Sequence, residues 1–285
     1  MTDPMRELEL EGGRRLTYRL AGSGPVRVLM IHGGAATSGV WAKVVSKLGE
    51  GYEVILPNLL GYEGSGPRPT QRPARSRPNA EALAALVAET GAPDIIVGHS
   101  TGAHVALDMA VNLDAPAKRL LFLEPAILDV LRLAGDQETF SWAEAHFLNS
   151  VAPAWRRGEP GVVGKMLDGW CGEGAFARLP KPAQAYMEAQ PGDCADEIEA
   201  TFQPDFSADD LTAFERPVDV VYGDSGSGLS PAIARALAAL LPDCRSHSLT
   251  GADHNLVVTH GSEIADCIRR PRAGTGAPVG SVSRL

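Results

Sequence analysis

Cysteine is scarce, with four in 285 residues, and Cys171, Cys194, Cys244 and Cys267 show no C-x-x-C spacing and no clustered histidines. They read as free thiols and offer neither a zinc-ligand pattern nor a disulfide framework, so no metal is expected. Long apolar runs are missing as well. None reaches the ~20 residues a membrane-spanning helix needs, and Met1 to Gly13 is polar and acidic, without the apolar centre of a secretory signal. The expectation is a cytoplasmic protein that does not engage a membrane. Positive charge is in deficit: the net charge of −9 and pI near 5.3 speak against nucleic acid as a partner. Arg68, Arg72, Arg75 and Arg77 form a local exception in a proline-rich loop. That loop reads as solvated, with an anion-binding rim as the alternative.

The chain is 44% hydrophobic and 21% charged, enough to bury the core of one domain and carry an insertion. Apolar, β-branched runs predict strands near 7–11, 15–20, 26–31, 53–57, 94–98, 119–123, 217–222 and 245–249. Helical patterns fall near 39–49, 79–90, 101–113, 231–241 and 261–269, with Asn79 and Ser230-Pro231 as expected helix starts. Strands alternating with helices imply a mostly parallel sheet covered on both faces.

Chemistry concentrates in three loops. Ile95 to Ala103 reads IIVGHSTGA, a strand, a tight turn Gly98-x-Ser100-x-Gly102, then a helix, with one serine at the apex. A serine held in a strained turn needs small neighbours so that strand and helix can approach, which makes Ser100 the candidate nucleophile. Val26 to Ile31 ends in His32-Gly33-Gly34-Ala35, a small-residue loop with free backbone N–H groups. In acyl transfer such groups hold an oxyanion together with the N–H of the residue after the nucleophile; Gly34 or Ala35, with Thr101, are the candidate donors. Near the end, Gly251-Ala252-Asp253-His254 follows a strand and precedes a helix. Histidine titrates near neutrality as a residue type, so His254 is the candidate general base.

From about Glu7 to Arg270 the chain resembles the α/β-hydrolase superfamily. The resemblance rests on His32-Gly33-Gly34 after the third strand, the stretch Pro57 to Ser65 (PNLLGYEGS) after the fourth, the GHSTG turn after the fifth and the Gly-x-Asp-His loop after the eighth. It implies an eight-stranded, mostly parallel sheet with helices on both faces and an inserted helical cap. One feature departs from the pattern. The family usually carries an aspartate three residues after the glycine that follows the seventh strand, and here Gly226 stands in that place. Two substitutes remain, Glu124 at the end of the sixth strand and Asp224 two residues early. Glu124 is preferred, since some relatives place the acid there and a strand's C-terminal end lies on the functional face of the sheet. The acid's task is to hold the imidazole tautomer and stabilise the imidazolium.

The expected domains are a core over 1–126 and 215–270, a cap over 127–214 and a disordered tail over 271–285. Phe140, Trp142, Phe147, Trp155, Trp170, Phe176 and Tyr186 fall in the cap segment; most read as packing, a few as pocket wall. His32 and His99 are expected to brace the loops around the site, and His104 to lie buried near the pocket floor. The resemblance implies a serine hydrolase without metal or organic cofactor, acting on a small hydrophobic carbonyl substrate: an ester, thioester or lactone. Carbon–carbon cleavage next to a ketone, or plain small-molecule binding on the same fold, are the alternatives.

Overall fold

A computed structural model of the protein describes residues 3–189, 194–203 and 205–271, apart from the Tyr186 side chain. Eight strands form one sheet: β1 (Arg6–Leu10), β2 (Arg14–Gly22), β3 (Val26–Ile31), β4 (Tyr52–Pro57), β5 (Ile95–His99), β6 (Arg119–Leu123), β7 (Val218–Gly223) and β8 (Cys244–Leu249). Their order is β1-β2-β4-β3-β5-β6-β7-β8. The β1–β2 and β2–β4 pairs are antiparallel and every other pair is parallel. The central strands β5 and β6 are buried along their whole length, as continuous apolar runs in a sheet covered on both faces should be.

Strand side chains alternate between two cores. Leu29, Ile31, Ile55, Ile96 and Phe122 belong to one. Val28, Met30, Val54, Val97 and Leu121 belong to the other, with Trp41 and Ile264. The core helices are α1 (Ala42–Leu48), α2 (Arg77–Thr90) and α3 (Thr101–Asn112). Between β6 and β7 the chain is helical: α4 (Asp129–Leu133), α5 (Gln137–Ala143), a π-helical stretch Glu144–Val151, α6 (Ala152–Arg156), α7 (Val162–Cys171), α8 (Ala175–Arg178), α9 (Lys181–Glu188), α10 (Cys194–Thr201) and α11 (Ala208–Thr212). The core closes with α12 (Leu229–Leu240), α13 (Leu256–Thr259) and α14 (Gly261–Arg269).

Both expected helix starts shift by a residue or two because their side chains serve other partners. α2 begins with Arg77-Pro78, where proline suits the first turn; Asn79 instead accepts the Leu60 N–H at 2.9 Å. α12 begins at Leu229 after left-handed Gly228 (φ 89°), and the Ser230 hydroxyl donates to Glu124.

The arginine loop is exposed at its tip, with the Arg72 side chain 50% exposed, but it is not an anion rim, because all four guanidinium groups are paired with carboxylates. Arg68 meets Glu197 at 3.5 Å, Arg72 meets Asp196 at 2.8 Å, Arg75 meets Asp205 at 3.0 Å and Arg77 meets Asp108 at 2.7 Å. All four carboxylates are buried to 4% exposure or less. Three of them come from the helical insertion, so the loop ties insertion to core. Buried acids without such partners would be strongly disfavoured. The four cysteines are free thiols. Among the described residues, no helix is long and apolar enough to cross a membrane, and no group of three or more His, Cys, Asp or Glu side chains is arranged to hold a metal ion. The expected tail lies, apart from Pro271, outside the described residues.

Candidate active site

Ser100 sits at the junction of β5 and α3 with φ 52° and ψ −124°, a backbone conformation L-residues rarely adopt. The two glycines flanking it answer to close contacts. A Cβ at Gly98 would stand 2.5 Å from Ala103 Cα, and one at Gly102 would stand 2.4 Å from the Ile31 carbonyl oxygen. Strand and helix therefore meet with only a backbone between them, and the serine is forced to the apex.

His254, on the loop between β8 and α13, places Nε2 2.9 Å from Ser100 Oγ. Its Nδ1 lies 3.1 Å from Glu124 Oε2. Glu124 also adopts a left-handed conformation, with φ 48°. Its carboxylate is 2% exposed and accepts the Gly223 N–H at 2.6 Å as well as the Ser230 hydroxyl. Burial alone would raise this carboxyl, but the hydrogen bond and charge of His254, the Gly223 N–H and the Ser230 hydroxyl together hold it below the usual carboxylate range. Glu124 is thus the carboxylate that meets the imidazole, and Asp224 is not. Asp224 is exposed and accepts the Gly251 N–H at 2.7 Å, which makes it a brace of the loop after β8. The position of the usual acid is also crowded: a Cβ at Gly226 would be 3.0 Å from the Trp170 carbonyl oxygen. That carbonyl accepts the Ser227 N–H at 2.9 Å.

The loop after β3 lies against the serine, since a Cβ at Gly33 would be 2.7 Å from Ser100 Cβ. Of the two donors expected from this loop, Ala35 is engaged elsewhere and gives its N–H to Tyr62 Oη at 3.1 Å. The Gly34 and Thr101 N–H groups meet no acceptor among the described residues.

His32 and His99 hold loops. His32 Nε2 accepts the Leu59 N–H at 3.0 Å, and His99 Nε2 donates to the His254 carbonyl at 2.9 Å. Burial lowers His32 to about 4, and burial with the neighbouring His254 lowers His99 to about 3, so both stay neutral at pH 7. His104 is not on the pocket floor. It is 1% exposed and faces the insertion, 3.5 Å from Asp205 and edge-on to Phe206.

Above the serine lies a cavity of about 440 Å³ whose wall is mostly aliphatic and aromatic, including Phe147, Met166, Leu167, Trp170 and Ile198. Of the aromatics in the insertion, Phe147 and Trp170 line it, whereas Trp142 is 46% exposed. Trp170 stacks on the His254 ring, centroids 4.3 Å apart and planes 19° from parallel. The only carboxylate on the wall among the described residues is Glu197, and no Lys or Arg joins it. Sequence reasoning missed Glu197, Tyr62 and Ser230 as neighbours of the site and did not single Trp170 out from the other aromatics of the insertion. Tyr62 lay inside a recognised motif and Ser230 read only as a helix start; Glu197 carries no local signal.

The chain matches the alpha/beta hydrolase family over residues 28–267 and belongs to it. Among curated proteins it is similar to the lipase LipV of Mycobacterium tuberculosis, 33% identical over 159 residues, which cover 53% of this chain and 59% of that protein. It is also 31% identical over 114 residues to a 2-hydroxy-6-oxononadienedioate/2-hydroxy-6-oxononatrienedioate hydrolase of Dechloromonas aromatica, covering 38% of this chain and 39% of the relative. The chain thus spans 59% and 39% of the length of these two relatives. Among solved structures, a thermophilic esterase from Thermogutta terrifontis shares the fold, with a TM-score of 0.70, 22% identity, and 94% of this chain and 97% of that one covered.

Proposed function

We propose that the protein is a serine hydrolase that cleaves a medium-sized hydrophobic ester, thioester or lactone through an acyl-enzyme on Ser100, with the helical insertion serving as a cap over the site. The observation that carries this reading is the line of three groups: Ser100 Oγ, His254 2.9 Å away, and the buried Glu124 3.1 Å behind the imidazole. In this reading His254 Nε2 takes the Ser100 proton as Oγ attacks the carbonyl carbon. Glu124 holds the Nδ1–H tautomer and offsets the positive charge that forms on the ring. The Gly34 and Thr101 N–H groups receive the oxyanion. The imidazolium then protonates the leaving alkoxide or thiolate, and water, deprotonated by the same imidazole, releases the acid.

The cavity supports the substrate class. A largely apolar space of about 440 Å³ favours each added methylene by about 0.8 kcal/mol until the chain outgrows it. The absence of Lys and Arg among the described wall residues speaks against a dicarboxylate, whose second charge would be buried unpaired. That observation favours ester-type cleavage over carbon–carbon cleavage of a diacid. A series of 4-nitrophenyl esters from acetyl to palmitoyl tests the reading: kcat/KM should rise over the first several acyl carbons and fall for the longest. A maximum at acetyl, or a large gain in rate at an oil–water interface, would contradict it.

A further inference from the structure

Tyr62 connects the loop after β3 to the helical insertion. Its Oη accepts the Ala35 N–H at 3.1 Å and donates to Glu197 Oε2 at 2.8 Å. Glu197, on α10, is 3% exposed, and its other oxygen faces Arg68 at 3.5 Å. Burial first, then the neighbouring Cys194 and Glu197, push the Tyr62 hydroxyl well above its ordinary range, so it keeps its proton and remains a donor. The carboxylate also packs on the loop itself: a Cβ at Gly34 would stand 2.4 Å from Glu197 Oε2. Ala35 is held at φ 52°, a strained value for a residue with a side chain.

We infer that Tyr62 and Glu197 are positioning residues for the oxyanion hole: they fix the Gly34–Ala35 peptide and, through it, the turn that carries the preceding Gly33–Gly34 peptide, whose N–H, that of Gly34, stays free to face the reacting carbonyl. The inference rests on the serine-hydrolase reading above and adds a consequence: the insertion must be seated for the hole to be formed. The Ala35 N–H anchors the Gly34–Ala35 peptide, and the Gly34 N–H, which belongs to the peptide before it, is the group left to bind charge. An interaction with the oxyanion is realised mainly in the transition state, so its misplacement lowers kcat and leaves KM nearly untouched.

The test uses Tyr62→Phe, Glu197→Leu and the conservative Glu197→Gln, which keeps an acceptor for the tyrosine. Three readouts are taken: fluorophosphonate labelling of Ser100, kcat and KM on 4-nitrophenyl butyrate, and hydrogen exchange of the Ala35 amide. Tyr62→Phe should lower the labelling rate and kcat by about tenfold or more, with KM within about twofold, and should expose the Ala35 amide to exchange. Glu197→Gln should stay within about threefold of the unsubstituted protein, and Glu197→Leu should resemble Tyr62→Phe. If Tyr62→Phe does not fold, Glu197→Leu is judged by the same criteria. Undiminished labelling with an exposed Ala35 amide, an Ala35 amide still protected, or a loss confined to KM would each overturn the positioning role. Failure of the unsubstituted protein to label at all would instead sink the serine-hydrolase reading. Rapid labelling without ester turnover would sink only the substrate class.

Discussion

Ser100 and Glu124 leave neighbouring strands side by side, each one residue past the paired His99 and Leu123, and each with φ near +50° (52° and 48°). The Ser100 N–H is bonded to the Leu123 carbonyl at 3.0 Å, so the two junctions are held as one unit. Parallel register therefore brings Glu124 beside Ser100, and the His254 ring reaches both.

Glu124→Gln should lower turnover by about 10³–10⁴, because the amide no longer selects the working imidazole tautomer. Asp224→Asn should change it by no more than about twofold, since that side chain braces a loop and is exposed. Steady-state kinetics of the two variants checks the pair, and the reverse ranking would move the acid to Asp224.

Trp170 should matter to rate more than its place on the pocket wall suggests. Its ring stacks on His254, where its π face lies against the ring on which positive charge forms during the proposed reaction. Trp170→Leu keeps an apolar wall but removes that face, and kcat should fall about threefold to tenfold, from roughly 0.5–1.5 kcal/mol of lost stabilisation. Trp170→Phe should recover part of it, and equal kcat in all three proteins would contradict the stacking role.

Asp108, on α3, ties that helix to the start of α2. It is fully buried, takes a two-pronged hydrogen bond from Arg77 and also accepts from Ser76 and Asn112. Asp108→Ala removes an acceptor from Arg77, whose side chain is 34% exposed, and from buried Ser76, and should cost about 1–3 kcal/mol. Urea unfolding measures this, and a change below about 1 kcal/mol would show that the pair contributes little.

Stability should decline as pH falls below neutral. His32 and His99 are held neutral in the fold, at about 4 and about 3, whereas in the unfolded chain they titrate near 6.5. Below pH 6.5 the unfolded state binds protons that the folded state refuses, so unfolding is favoured as pH drops. Each histidine contributes up to about 1.4 kcal/mol per pH unit in the window between 6.5 and its folded value. Urea unfolding at pH 7.5 and 5.5 should show a loss of about 2–3 kcal/mol, and equal stability at the two pH values would contradict it.

The strands were legible because the buried strands β3, β5 and β6 are short apolar runs bounded by turn residues, and their observed limits differ from expectation by one residue at most. Ser100 and His254 were legible because their loops follow strands and carry small residues for a backbone reason. What escaped the sequence depends on contacts across long separations. Arg68, Arg72 and Arg75 showed no partners nearby in the sequence; Glu197, Asp196 and Asp205 meet them from over a hundred residues away. Asn79 and Ser230 looked like caps because local rules know only local partners; Leu60 and Glu124 claimed them instead. Nothing local separates Gly34 from Ala35; it is a tyrosine 27 residues further along the chain that takes the Ala35 N–H.

Whether Ser100 is an activated nucleophile is read out by its covalent labelling. The protein is treated with a fluorophosphonate at pH 7.5, digested, and the modified peptide identified by mass spectrometry, alongside Ser100→Ala and His254→Ala. The account predicts rapid, stoichiometric modification of Ser100, none in Ser100→Ala, and labelling slowed by several orders of magnitude in His254→Ala although both variants stay folded. Absence of labelling in the unsubstituted protein, or ester turnover surviving in Ser100→Ala, would contradict it.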